Sequence, residues 1–168
     1  LALAKSLTTS PLLADLAEVY EGAGRSGDAI AVLREACAAD SQAFDQHRQL
    51  GLWLRRSGAF EDAIATLRHA LQLRPGDWRT LHELGLALEA MNQTSEAWAA
   101  YQQATLARPT EAAPYFDLGR ATLAQIEQEN RSAAPAQAVA ALREAVQRDA
   151  ANAEAHALLA QAHHRAGD

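Results

Sequence analysis

One spacing dominates this sequence, a period of thirty-four positions. Gly51, Gly85 and Gly119 keep it, and so do Pro75 and Pro109. It recurs in Ala29, Ala63 and Ala97, in Ala36, Ala70 and Ala104, and in Leu16, Leu50, Leu84 and Leu118. Several independent residue series on one period define an array in which each repeat stacks on its neighbours to bury a shared core. The series set a register of 10–43, 44–77, 78–111 and 112–152, followed by a half repeat at 153–168. Ala2 lies one full period before Ala36, so residues 1–9 read as the tail of a preceding helix or a leader.

Within each repeat a small residue follows a leucine in the first half, at Ala17, Gly51, Gly85, Gly119 and Ala160. The second half carries alanine, a large residue four positions on and alanine three positions later: Ala29/Leu33/Ala36, Ala63/Leu67/Ala70, Ala97/Tyr101/Ala104 and Ala138/Leu142/Ala145. Offsets of three, four and seven fall on one stripe of a helix. Turn residues separate the halves (Gly24, Ser57-Gly58, Asn92), and breakers such as Pro75-Gly76 and Pro109 close the repeats. Each repeat is therefore predicted to be two antiparallel helices. Glycine inside a helix costs about 0.5–1 kcal/mol against alanine, so its return at 51, 85 and 119 points to a steric need. Leu50, Gly51, Ala63, Ala70, Leu84, Gly85, Ala97, Tyr101, Ala104, Leu118, Gly119, Ala138 and Ala145 are the expected packing residues.

These spacings resemble the tetratricopeptide repeat (TPR) family. Leu84-Gly85, Leu88, Asn92, Ala97, Tyr101, Ala104 and Pro109 match its signature, as do Leu50-Gly51, Leu54, Gly58, Phe60, Ala63, Leu67, Ala70 and Pro75. The resemblance implies an all-α, right-handed α-solenoid of antiparallel helix pairs (a TPR superhelix), with about nine helices in one solenoid domain. There are departures. The family's frequent tryptophan early in the first helix is replaced by Leu13, His47, Leu81, Tyr115 and His156, and Ser41 stands where the first repeat's closing proline belongs. Gly119 and Ala138 are nineteen positions apart where the other repeats have twelve, an insertion of seven. It is expected near 127–134, as an extended first helix and a loop, with Pro135 starting the next helix. It is either neutral or a projection that recognises a partner.

The resemblance also implies a groove lined by the first helices. Carried over position by position, it would show Asp15, Glu18 and Glu21, then Asp45, Arg48, Gln49, Leu52, Arg55 and Arg56. The third repeat would add Arg79, His82, Glu83, Leu86 and Glu89, and the fourth Phe116, Asp117, Arg120 and Leu123. Apolar residues flanked by arginine fit a peptide or helix bearing apolar anchors and acidic groups. The other reading of the same charges is a solvated face with internal ion pairs. The lysine and asparagine clamp that some family members use to grip a C-terminal carboxylate is largely missing.

Composition narrows the function. Apolar residues make up 49% and charged residues 21%, the balance of a soluble protein. A formal net charge of −6 argues against nucleic acid, which calls for a basic face. The single cysteine allows no intrachain disulfide and does not choose between cytoplasm and periplasm. No apolar run is long enough to insert this segment in a membrane. Beginning with Leu1, the chain reads as a piece of a larger protein.

Phosphate loops, nucleotide fingerprints, zinc-protease helices and nucleophile elbows are absent from the sequence. No enzyme activity, cofactor or metal is expected. Cys37 shares its slot with Leu71, Thr105 and Val146 and reads as a buried, inert thiol. His156 and His163 share slots with the core residues Leu81 and Leu88, and with His164 they do not have a metal site's spacing. Trp53 and Trp98 are expected in packing between repeats. The expected function is a scaffold or adaptor module of a larger protein. Self-association is an alternative, as is a TPR region attached to a glycosyltransferase or a bacterial polysaccharide-secretion component.

Overall fold

The computed structural model describes residues 16, 19, 20, 23–107, 109–129 and 135–167. Eight helices lie among them: α1 (Ser26–Ala39), α2 (Phe44–Arg56), α3 (Phe60–Leu73), α4 (Trp78–Ala90), α5 (Thr94–Leu106), α6 (Ala113–Glu129), α7 (Pro135–Arg148) and α8 (Ala153–Ala166). Among the described residues there is no strand. The sequence predicts one helix more. That helix, opening the repeat at 10–43, falls mostly outside the described residues, although Leu16, Val19 and Tyr20 have helical backbone. The fold is an all-α solenoid of helix pairs.

Contacts group the chain into two compact units, one ending at Pro75 and one starting at Gly76. In the first, α2 packs on both α1 and α3; in the second, α4 to α8 each pack on the next helix in the chain. The alanine and large-residue stripes supply both cores. Leu33, Leu67, Tyr101 and Leu142 are essentially inaccessible, as are Ala29, Ala63, Ala97 and Ala138.

The helical glycines are seats for those large side chains. A Cβ built on Gly51, Gly85 or Gly119 would come within 3.0 Å of Leu67, Tyr101 or Leu142 respectively, closer than real Cβ contacts run. The large residue of each second helix thus occupies the place where the first helix has no side chain.

Turns between paired helices repeat as faithfully. Gly24, Gly58 and Asn92, again one period apart, have φ of 70°, 83° and 57°. The next residue then donates back across the turn: Arg25 N to Tyr20 O at 2.7 Å, Ala59 N to Leu54 O at 2.9 Å and Gln93 N to Leu88 O at 2.9 Å. This is the left-handed C-terminal cap in which glycine, or next best asparagine, is favoured. The corresponding position of the fourth repeat is Ile126, a β-branched residue for which positive φ is strongly disfavoured. There the helix runs on: α6 has 17 residues where α2 and α4 have 13. The insertion expected at 127–134 therefore begins as helix. Its residues 130–134 lie outside the described residues, and α7 starts at Pro135.

The extended helix meets α8. Ile126, Leu158 and Leu159 pack on the cluster of Leu123, Ala138, Val139, Leu142 and Ala162, and Arg165 pairs with Glu127. Leu158 is thereby partly covered. His156 departs from its expected core slot. It is exposed, and its Nε2 lies 3.0 Å from the Ala150 carbonyl; among the described residues no helix follows α8.

Candidate functional site

In the second unit, α4 and α6 face each other through polar side chains at one-turn intervals. On α4, Arg79, His82, Leu86 and Glu89 share one stripe; on α6, Phe116, Asp117 and Arg120 do so. Arg79 Nη2 donates to Glu111 Oε1 at 3.1 Å, just before α6 begins. One turn on, His82 Nε2 lies 2.8 Å from Asp117 Oδ2. Two turns further, Arg120 forks onto Glu89. Nη1 meets Oε1 and Nη2 meets Oε2 at 2.7 Å, while Nη2 also reaches Asp117 Oδ1 at 3.0 Å. Tyr101, from α5, donates its hydroxyl to Glu89 Oε2 at 2.9 Å.

Electrostatics follow from this wiring. Hydrogen bonds from Arg120, and then from Tyr101, hold the Glu89 carboxyl below the usual carboxylate range against the opposing effect of burial. The bond to Glu89, followed by that to Asp117, holds the proton on Arg120 more firmly. Burial, reinforced by the nearby carboxylates, keeps the Tyr101 phenol protonated. Such a forked arginine between two carboxylates is fixed in orientation and largely neutralised from within.

The residues carried onto a groove by position thus have several fates. Arg79 is exposed and lies over the Trp78 ring, 4.6 Å from its centroid. Leu86 and Phe116 are half-buried, and Phe116 packs on both the cluster of Leu123, Leu142 and Ala162 and that of Tyr115, Ala145 and Ala155, so only part of its ring remains accessible. His82, Asp117, Glu89 and Arg120 are joined to one another. Leu123 corrects the expectation: at 3% exposure it belongs to the core cluster with Leu142 and Ala162 and lines no groove, because α8 and the end of α6 close over it. On α2, in the first unit, Arg48, Leu52 and Arg55 are half-buried, and Arg48 Nη2 is 3.7 Å from Asp45 Oδ1. Asp15, Glu18 and Glu21 lie outside the described residues.

The part played by the Tyr101 hydroxyl was missed in the sequence, where Tyr101 counted only as packing. The signal was there: Leu33, Leu67 and Leu142 fill that slot elsewhere, so a phenol marks a polar partner within reach. Trp98 does pack between repeats. Its Nε1 donates to Thr122 Oγ1 at 3.0 Å, and Thr122 donates to the Leu118 carbonyl at 2.7 Å. Cys37 is buried, and burial pushes its thiol up to about 11.

Paired helices with glycine seats, and left-handed turns that return once per period, define a helical-repeat scaffold. Two family profiles, each described as a tetratricopeptide repeat, match residues 14–77 and 54–126. The chain belongs to the tetratricopeptide repeat family, whose fold is a general protein–protein interaction scaffold. No curated protein matches the sequence.

Solved structures of several family members superpose well. MamA 41-end from Desulfovibrio magneticus RS-1 is 21% identical with a TM-score of 0.76, over 95% of this chain and 86% of that one. PilF of Pseudomonas aeruginosa is 20% identical with a TM-score of 0.76, over 96% and 70%. YrrB, described as a TPR protein with an unusual peptide-binding site, is 16% identical with a TM-score of 0.75, over 97% and 80%. At these identities the likeness is one of fold. No helix among the described residues is long and apolar enough to cross a membrane.

Proposed function

We propose that this chain is a scaffold or adaptor module that holds a peptide or helix of another protein against the α4–α6 face. The observation that carries the reading is a polar set fixed in place between α4 and α6, with Leu86 half-buried on α4 and Phe116 half-buried on α6, where one part of its ring packs on the core and the rest keeps accessible surface. Apolar anchors inside an ordered polar surround are the usual make-up of a binding hot spot. Because Glu89 and Asp117 neutralise Arg120, apolar contact supplies most of the affinity. Arg79 is the cation of this face best placed for an acidic group. Its ion pair with Glu111 is solvent-exposed and therefore weak, so a ligand carboxylate can replace Glu111 at little cost. The role is binding rather than catalysis. YrrB, a structural neighbour described by its peptide-binding site, lends the reading support.

The test is selection from a displayed random-peptide library, followed by titration of the selected peptides. Phe116→Ala and Leu86→Ala are expected to weaken binding by about tenfold or more each, and Arg79→Ala to weaken acidic peptides selectively. Peptides that bind all three variants as they bind the parent would overturn the assignment to this face.

A further inference from the structure

We propose that His47 and His69 make the second helix pair a pH-sensitive joint, α2 parting from α3 when His47 takes up a proton. The two rings, one on each helix, meet edge to face with centroids 4.4 Å apart. His69 Nε2 lies 3.1 Å from the Ser41 carbonyl. A carbonyl only accepts, so this nitrogen carries a hydrogen and His69 is fixed in orientation. His47 Nε2 is enclosed, and among the described residues it is the single buried side-chain nitrogen or oxygen without a hydrogen-bond partner.

The neutral ring tolerates that position, since a bare nitrogen lone pair there leaves no donor unmet. The protonated ring does not: an imidazolium donates from both nitrogens, and here one N–H would point at nothing. The ionisable groups acting on His47 come from both neighbours. His69 on α3 opposes its charge, while Asp40 and the Ser41 carbonyl, in the turn after α1, favour it. Burial is the largest influence, and the balance holds His47 below the ordinary histidine value of 6.5. On its own helix, Asp45 and Arg48 pair with each other.

The sign follows from linkage. A histidine held low in the fold leaves stability intact above its ordinary value. As pH falls below that value the open state binds the proton first, and stability drains until the folded value is passed.

Segment-resolved hydrogen exchange on the full chain, between about pH 7.5 and about pH 5.5, tests this once intrinsic rates are corrected. Protection of α2 and α3 should fall by up to about tenfold per pH unit below the ordinary histidine value. The α6–α7 pair, which carries no histidine of its own, serves as the internal reference, measured with and without His82→Gln because Asp117 on α6 meets His82. His47→Phe should abolish the difference, and His69→Gln should reduce it. Equal behaviour of the two pairs, or a loss that persists in His47→Phe, overturns the proposal. Should His47→Phe not fold, an NMR titration of His47 in the parent decides: a midpoint below the ordinary range supports the joint, and an ordinary midpoint overturns it.

Discussion

Tyr101 stands where a side chain on residue 85 would have to be: three of its ring carbons lie within 3.0 Å of the point a Cβ on Gly85 would occupy. The ring has no room to yield, being fully buried with its hydroxyl held by Glu89. Gly85→Ala is therefore expected to cost about 1–3 kcal/mol from overpacking, offset by the roughly 0.5–1 kcal/mol that alanine gains in a helix. Gly85→Leu should cost more. Gly51→Ala meets Leu67, an aliphatic side chain that adjusts more readily than a phenol ring, and should be the milder change. Thermal melts check the order, at about 2–4 °C per kcal/mol for a chain of this size. A Gly85→Ala protein as stable as the parent contradicts the seat.

Glu89 makes stability depend on acid. Its carboxyl is held below its ordinary value by Arg120 first and Tyr101 next. A carboxyl lowered in the fold stabilises fully above the ordinary carboxylate value, and that contribution is lost as pH falls through the lower, folded value. Glu89→Gln should remove it. Urea unfolding measured from neutral to acid pH should find the variant weaker at neutrality and shallower in its acid decline. Parallel curves would count against the network.

Asp77 caps α4, accepting from Thr80 N at 2.9 Å and from Thr80 Oγ1 at 2.6 Å. Thr80 is completely buried, so its hydroxyl has little recourse to water. Asp77→Ala should destabilise by about 1–2 kcal/mol, and Asp77→Asn by less, since an amide oxygen still accepts. Denaturant midpoints for the two variants decide it; equal losses would mean that the bond to the backbone matters little.

Cys37 should resist modification. Burial holds its thiol up to about 11, so very little thiolate exists at neutral or mildly basic pH. A disulfide-exchange thiol reagent at about pH 8 should label the native chain slowly and the denatured chain at once. Rapid stoichiometric labelling of native protein would show that the α1–α2 packing opens readily.

What the sequence disclosed and what it hid have separate physical grounds. Gly51, Gly85 and Gly119 were legible because a seat for Leu67, Tyr101 or Leu142 leaves no room for a larger side chain, and the same demand for a small residue recurs in each repeat. The turn at Asn92 was legible for the same kind of reason, though its left-handed form came only with the structure. The α4–α6 face was half legible. Position placed His82, Asp117, Glu89 and Arg120 on one side, but whether their charges face a ligand or each other depends on rotamers and on the spacing between two helices. Leu123 was misplaced because its surroundings depend on the overshoot of α6 and on how α8 packs against it, and that overshoot has no counterpart in the other repeats.

The row Gly24, Gly58, Asn92 and Ile126 has a consequence for how such a chain acquires new surface. Lengthening a helix here calls for no redesign of the core. Losing one residue able to turn left erases a stop sign, and the rod grows by whole turns while the glycine seat two turns upstream keeps its occupant. Gly119 still receives Leu142 although α6 overshoots. A novelty can thus be trialled at the rim of one repeat with its neighbours undisturbed.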